Sequence, residues 1–141
     1  MRYLAIDYGL RRVGLAMCDP DEIIVSPLTQ LRNDPGRPSM AIQQICQVIS
    51  ENKVDAVILG LPLNMDDSEG EQARQTRVFS DQLNGAIDVP LHYQDERLSS
   101  AAADEMMDGI GLTTKQRKEK RDKLAACAIL QDYLDNHKSK T

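Results

Sequence analysis

The sequence predicts an α/β sandwich around a mixed five-stranded sheet, and three observations carry that prediction. Two short apolar runs near the start, "YLAI" (3–6) and "VGLAM" (13–17), are joined by a turn containing Gly9. The run "DAVILG" (55–60) is almost continuously apolar, the pattern of a strand covered on both faces. From there on, helical and extended patterns alternate.

The elements follow in order. A third short strand fits "IIV" (23–25), and "RNDPGRPS" (32–39) is turn chemistry. Pro38 and Ser39 suit a helix start, and Ala41, Ile42, Ile45, Val48 and Ile49 recur at helical spacing, so a helix is expected over about 39–52. Ser68 and Glu71 have the spacing of a capping box that opens a second helix, running to about residue 84. "VPLHY" (89–93) is the fifth strand. Ser99 or Ser100 is expected to cap a short helix that stops at "GIG" (109–111). Thr113 and Gln116 repeat the capping-box spacing, and a last helix continues to about Asp135.

The 141 residues are expected to form one domain, 1–141, large enough to bury roughly 68–70% of the unfolded surface. No stretch approaches the roughly 18 apolar residues of a membrane span, and the apolar start is short for a signal peptide, so a cytoplasmic location is expected. Cys18, Cys46 and Cys127 are odd in number and far apart, the pattern of reduced core residues rather than a zinc site. His92 and His137 have no partner nearby in sequence and are expected to be structural or superficial. The net charge of −5 argues against nucleic acid at first sight. Its distribution argues back, because "KQRKEKRDK" (115–123) holds six basic and two acidic residues. A solvated helix face would read the same way.

The acids are placed more tellingly than the bases. Asp7 follows the first apolar run, Gly60 ends the fourth strand, and Asp95 and Glu96 follow the fifth. Ligands of open α/β sheets bind outside the carboxyl ends of strands, so parallel pairing would bring these sites to one edge. Asp122, Ala126, Ile129 and Tyr133 share one face of the last helix, apolar except for Asp122. A lone inward aspartate needs a partner such as an arginine, backbone donors or a metal; alternatively it only favours the helix macrodipole. Together, Asp7, Glu96 or Asp95, and Asp122 make a set of hard oxygen ligands suited to Mg²⁺ or Mn²⁺. Two such ions about 3.5–4 Å apart can activate water and stabilise the leaving oxygen of a phosphodiester.

Four stretches, "DYGLRRVGLA", "VILGLPLNMDDSEG", "DERLSS" and "DKLAACAILQDYL", stand in the order and spacing of one family. Along essentially its whole length the chain resembles the YqgF/RuvX family of the RNase H-like superfamily. The resemblance implies an RNase H-like fold, a divalent-metal nuclease of two-metal-ion type, and acidic ligands at Asp7, Glu96 and Asp122, with Asp95 as the alternative to Glu96. Family members are regarded as Holliday junction resolvases by fold similarity and as nucleases trimming the 5′ end of pre-16S ribosomal RNA. Two departures stand out: Asp67 replaces a usual glycine, and Arg121 replaces a usual apolar residue, extending the basic run.

The expected function is therefore a metal-dependent endonuclease in ribosomal RNA processing, with precursor RNA and ribosomal precursor particles as partners. Arg11, Arg12, Arg97, Lys115, Arg117, Lys118, Lys120 and Arg121 are the candidate nucleic-acid contacts, with substrate contact placed slightly ahead of bracing the hairpin for Arg12. A resolvase acting on branched DNA would want a two-fold dimer, whereas an RNA-trimming enzyme can work as a monomer or weak dimer. A catalytically silent nucleic-acid-binding module is the alternative from another class. An actin-like phosphotransferase is disfavoured, since no second glycine-rich phosphate loop follows the first.

Overall fold

The computed structural model describes residues 1–64, 66, 68–96 and 113–139, with the side chains of 118–119, 121–123 and 138–139 outside that description. Five strands, β1 (Tyr3–Tyr8), β2 (Arg12–Cys18), β3 (Val25–Arg32), β4 (Ala56–Leu61) and β5 (Leu91–Asp95), form one sheet in the order β3-β2-β1-β4-β5. The first three pair antiparallel, and β1-β4 and β4-β5 pair parallel. The mixed sheet is as expected. Because β1, β4 and β5 run the same way, their carboxyl ends share one edge.

Three helices cover the two faces. Helices α1 (Pro38–Asn52) and α2 (Glu71–Asn84) lie on one side, and α3 (Thr114–Ser139) lies on the other. The alternation of side chains along β1 divides the core accordingly. Leu4, Ile6 and Tyr8 pack with Ala41, Ile45, Phe79 and Leu83 on the α1–α2 side. Tyr3 and Ala5 pack with Ala126, Ile129, Leu130 and Leu134 of α3. Every residue of β4 is buried, which is why its sequence is apolar without alternation. Cys18 and Cys127 are buried free thiols, and Cys46 packs half-buried against the core.

Some boundaries differ from the sequence reading. The third strand is Val25–Arg32, not 23–25. Asp19 Oδ1 accepts the backbone N–H groups of Ile23 and Ile24, both at 2.7 Å, so those residues are held in a turn and left exposed. β5 begins and ends two residues later than expected, and β1 runs one residue past Asp7. The expected capping box at Ser68 and Glu71 does not form. Ser68 Oγ and N–H both donate to Asp66 Oδ1, and the helix starts later, with Gly70 as its N-cap. At α3 the box does form: Gln116 N–H donates to Thr113 Oγ1 (3.2 Å) and Thr113 N–H to Gln116 Oε1 (3.0 Å). The short helix expected after Ser99 or Ser100 lies outside the described residues. Among the described residues no helix is long and apolar enough to cross a membrane.

Candidate active site

Asp7 sits near the carboxyl end of β1, directly opposite Gly14 in the β1–β2 ladder. Odd-numbered residues of β1 face α3, so Asp7 points to that side with Tyr3 and Ala5. Helix α3 comes close here: a Cβ at Gly14 would just fit, in contact with Asp7 Cβ at 3.7 Å and Ala126 Cβ at 3.9 Å. Asp7 thus occupies a narrow space between the hairpin and α3.

Alternation along β5 separates the two acids that the sequence left open. Tyr93 donates its hydroxyl to Ser80 Oγ of α2 at 2.6 Å, so Tyr93 and Asp95 belong to the α2 side of the sheet. Glu96 falls on the other side. Its backbone N–H extends the ladder to Leu61 O (3.1 Å), and its Oε2 lies over Gly60, next to Ile129. There it hydrogen-bonds with Asp7. Burial pushes the Glu96 carboxyl up to about 8, and the negative charges of Asp7 and then Asp95 push in the same direction. At neutral pH the two neighbouring carboxyl groups therefore hold a proton between them.

Helix α3 runs antiparallel to β1. Tyr133 meets Tyr3, at the amino end of that strand, with ring centroids 5.3 Å apart, while Ala126 reaches Gly14 and Asp7 at the carboxyl end. Asp122 occupies the helix position one turn before Ala126, at the same sheet edge as Asp7 and Glu96; its side chain lies outside the described residues. With 26 residues, α3 is about 39 Å long, against about 20 Å for β1. Its first turns therefore overhang the edge where the acids meet. They carry Lys115 and Lys120, both exposed, and Arg117, half-buried. The side chains of Lys118 and Arg121, and all of Arg97, lie outside the described residues.

The hairpin arginines lie at the same edge. Arg11 and Arg12 are exposed in and after the β1–β2 turn, and Arg12 pairs with Arg32 across β2 and β3. Arg32 escaped the sequence reading because its place depends on the register of a strand that the pattern did not reveal. His92 and His137 both stack with Tyr133, at ring distances of 6.3 and 5.8 Å.

A mixed sheet in this order, flanked by helices and with acids at the carboxyl ends of the two parallel strands on either side of β4, defines a protein of RNase H-like fold. Solved structures share it: T. thermophilus RuvC in complex with a Holliday junction substrate gives a TM-score of 0.64 at 15% identity, covering 99% of this chain and 96% of that one. The fowlpox virus Holliday junction resolvase gives 0.56 at 14% identity, covering 96% and 99%. Sequence comparison is more specific, since a profile of the family described as RuvX, Holliday junction resolvase, matches residues 1–136. The chain belongs to that family. Relatives named "Putative pre-16S rRNA nuclease" include one from Roseiflexus sp., 40% identical over 97% of this chain and 96% of its own length. One from Chloroflexus aurantiacus is 43% identical over 96% of this chain and 88% of its own length.

Proposed function

We propose that this chain is a metal-dependent nuclease that hydrolyses phosphodiester bonds of precursor 16S ribosomal RNA. The observation that carries the reading is the meeting of Asp7 and Glu96 across Gly60, two carboxyl groups brought together where each raises the cost of ionising the other. Family membership and the names of the relatives supply the reaction class and substrate.

The donors fit a hard divalent cation such as Mg²⁺ or Mn²⁺. They are carboxylate oxygens, His92 is engaged with Tyr133 rather than with them, and Gly60 leaves the space that Glu96 Oε2 uses. Asp7, Glu96 and Asp122 would hold the metal, with Asp95 kept on the α2 side of the sheet by strand alternation. A bound divalent ion, or a pair of them in the two-metal-ion scheme, supplies an activated water and stabilises the leaving oxygen. The chain's own residues do the rest. Asp7 and Glu96 would serve as ligands in their ionised form, the proton they share passing to solvent. Gly14 and Ala126 keep the wall behind Asp7 thin, so that a phosphodiester reaches it from the open edge. Arg11, Arg12, Arg97, Lys115, Arg117, Lys118, Lys120 and Arg121 would neutralise the substrate backbone.

A second reading, cleavage of branched DNA, is favoured by the family description and by the resolvase fold. The charge distribution favours RNA. A flexible single strand can wrap a small basic surface, whereas tight binding of branched duplex needs many neutralised phosphates. The test compares cleavage of a precursor 5′ leader RNA with that of a mobile four-way junction, at equal salt, with and without Mg²⁺. The RNA is expected to be cut at least as fast as the junction, and only with the metal. Symmetric paired cuts in the junction by a stable dimer, with the RNA intact, would establish the resolvase instead.

A further inference from the structure

We propose that the cleft between the β1–β2 turn and the end of β3 binds a phosphate of the substrate backbone beside the cut site, with Arg32 as its distal anchor. This deepens the nuclease reading and rests on it. The cleft holds about 730 Å³ and is lined by Arg11, Arg12, Gln30, Arg32, Asn33 and Asp34, with two apolar residues. Arg12 and Arg32 are direct cross-strand partners, an arrangement in which like charges cost stability. Among the described residues, none of the three arginines has an ion pair or a side-chain hydrogen bond. Asp34, the one carboxylate at the cleft, accepts the Gly36 N–H at 3.0 Å instead. Three guanidinium groups around one concavity, against a single carboxylate that none of them pairs with, leave an excess of positive charge and make a site for an anion.

The walls are built rather than incidental. Asn33 is buried and clamps the turn to β3: its Nδ2 donates to Gly9 O (2.7 Å) and its backbone N–H to Arg11 O (2.9 Å). Its Oδ1 is left buried with no hydrogen-bond partner among the described residues. A buried acceptor without a donor costs about 1–3 kcal/mol. An arginine drawn inward by a phosphate has N–H groups to spare for that oxygen, since a guanidinium carries five.

The position connects the cleft to the acids. Asp7 pairs with Gly14 and Gly14 with Gln30, so Arg12, two residues before Gly14, and Arg32, two residues after Gln30, lie on the same face. The cleft therefore flanks Asp7 on the side away from Glu96. A strand crossing the acids would enter it with its phosphates, and contact of this kind reads no base.

The experiment measures binding of a single-stranded RNA oligonucleotide to the full chain in EDTA, at several salt concentrations, for wild type, Arg32→Gln and Arg74→Gln. Arg74 is an exposed arginine of α2 on the opposite face, so its variant removes the same charge elsewhere. Arg32→Gln is expected to weaken binding roughly tenfold. It should also lower the slope of log K against log salt by about one phosphate contact, to a similar degree for unrelated RNA sequences. It should keep or raise Tm, because the Arg12–Arg32 repulsion is relieved. Arg74→Gln should bind as wild type does. An unchanged slope in Arg32→Gln, or an equal loss in Arg74→Gln, overturns the cleft while leaving the nuclease reading intact. A slope lowered only by Arg32→Gln, in a protein that cleaves nothing with Mg²⁺, supports the cleft and removes the nuclease reading.

Discussion

Glu96 lays its Oε2 over Gly60, in space that any side chain at that position would take. A Cβ at Gly60 would fall on that oxygen and 2.5 Å from Ile129 Cδ1. Gly60→Ala must therefore displace Glu96, Ile129 or both. The expected outcome is a loss of about 1–3 kcal/mol from overpacking and a fall in kcat of at least tenfold. Thermal unfolding and single-turnover cleavage on the same preparation check it. A variant with wild-type Tm and wild-type rate would mean that Glu96 does not need its present place.

The raised Glu96 carboxyl makes stability depend on pH in a predictable direction. Below about pH 4.5, its ordinary value, the group is protonated both folded and unfolded and contributes nothing. Between there and about 8 the unfolded chain releases the proton while the folded one retains it, so stability falls as pH rises and levels off above that range. Glu96→Gln removes this loss. In EDTA the variant should gain on wild type progressively from pH 5 to pH 8, by up to a few kcal/mol. Denaturant titrations across that range check it, and a gap that stays constant with pH would contradict it.

Metal should reverse that penalty. A divalent cation favours the ionised form of both acids, so millimolar Mg²⁺ or Mn²⁺ is expected to raise Tm at pH 7.5 and much less at pH 5.5, where protons compete. EDTA should restore the lower value. Asp7→Asn and Glu96→Gln should each abolish the shift. A shift of equal size in both variants would place the metal elsewhere.

Asp7→Asn should leave the fold in place and lower cleavage by at least a hundredfold, since it removes a charge and almost no volume. Its stability at pH 8 should equal or exceed that of wild type, because the repulsion felt by Glu96 falls with it. Circular dichroism and the RNA cleavage assay decide the matter. A folded variant that cuts at the wild-type rate with Mg²⁺ would refute the role given to Asp7.

The sheet was legible where burial shaped the sequence and illegible where it did not. β4 is buried along its whole length and reads as a strand at once, whereas β3 is an edge strand, mostly exposed, with Pro27 inside it and no alternating pattern. Ile23 and Ile24 look like a strand by composition, but the side chain of Asp19 claims their N–H groups. Ala126, Ile129 and Tyr133 declared the inner face of α3 by their spacing. The choice between Asp95 and Glu96 could not come from composition. It needed Tyr93 to be tied to Ser80, which fixes the parity of β5. Arg32 was invisible for a similar reason: only the β2–β3 pairing puts it beside Arg12.

Helix α3 is anchored in one half and projecting in the other, and this gives it a phase as well as a length. From Ala126 to Leu134 it is locked against the sheet, while its first turns stand clear with the basic residues. Each residue advances the helix by about 100°, so one residue inserted between Lys120 and Ala126 would swing Lys115, Arg117 and Lys120 by that angle around the axis. The core would hardly register the change, yet each of these basic residues would point in a new direction relative to Asp7 and Glu96. The helix thus works as an indexed shaft, in which the count of residues between its two halves sets where the outer ones point.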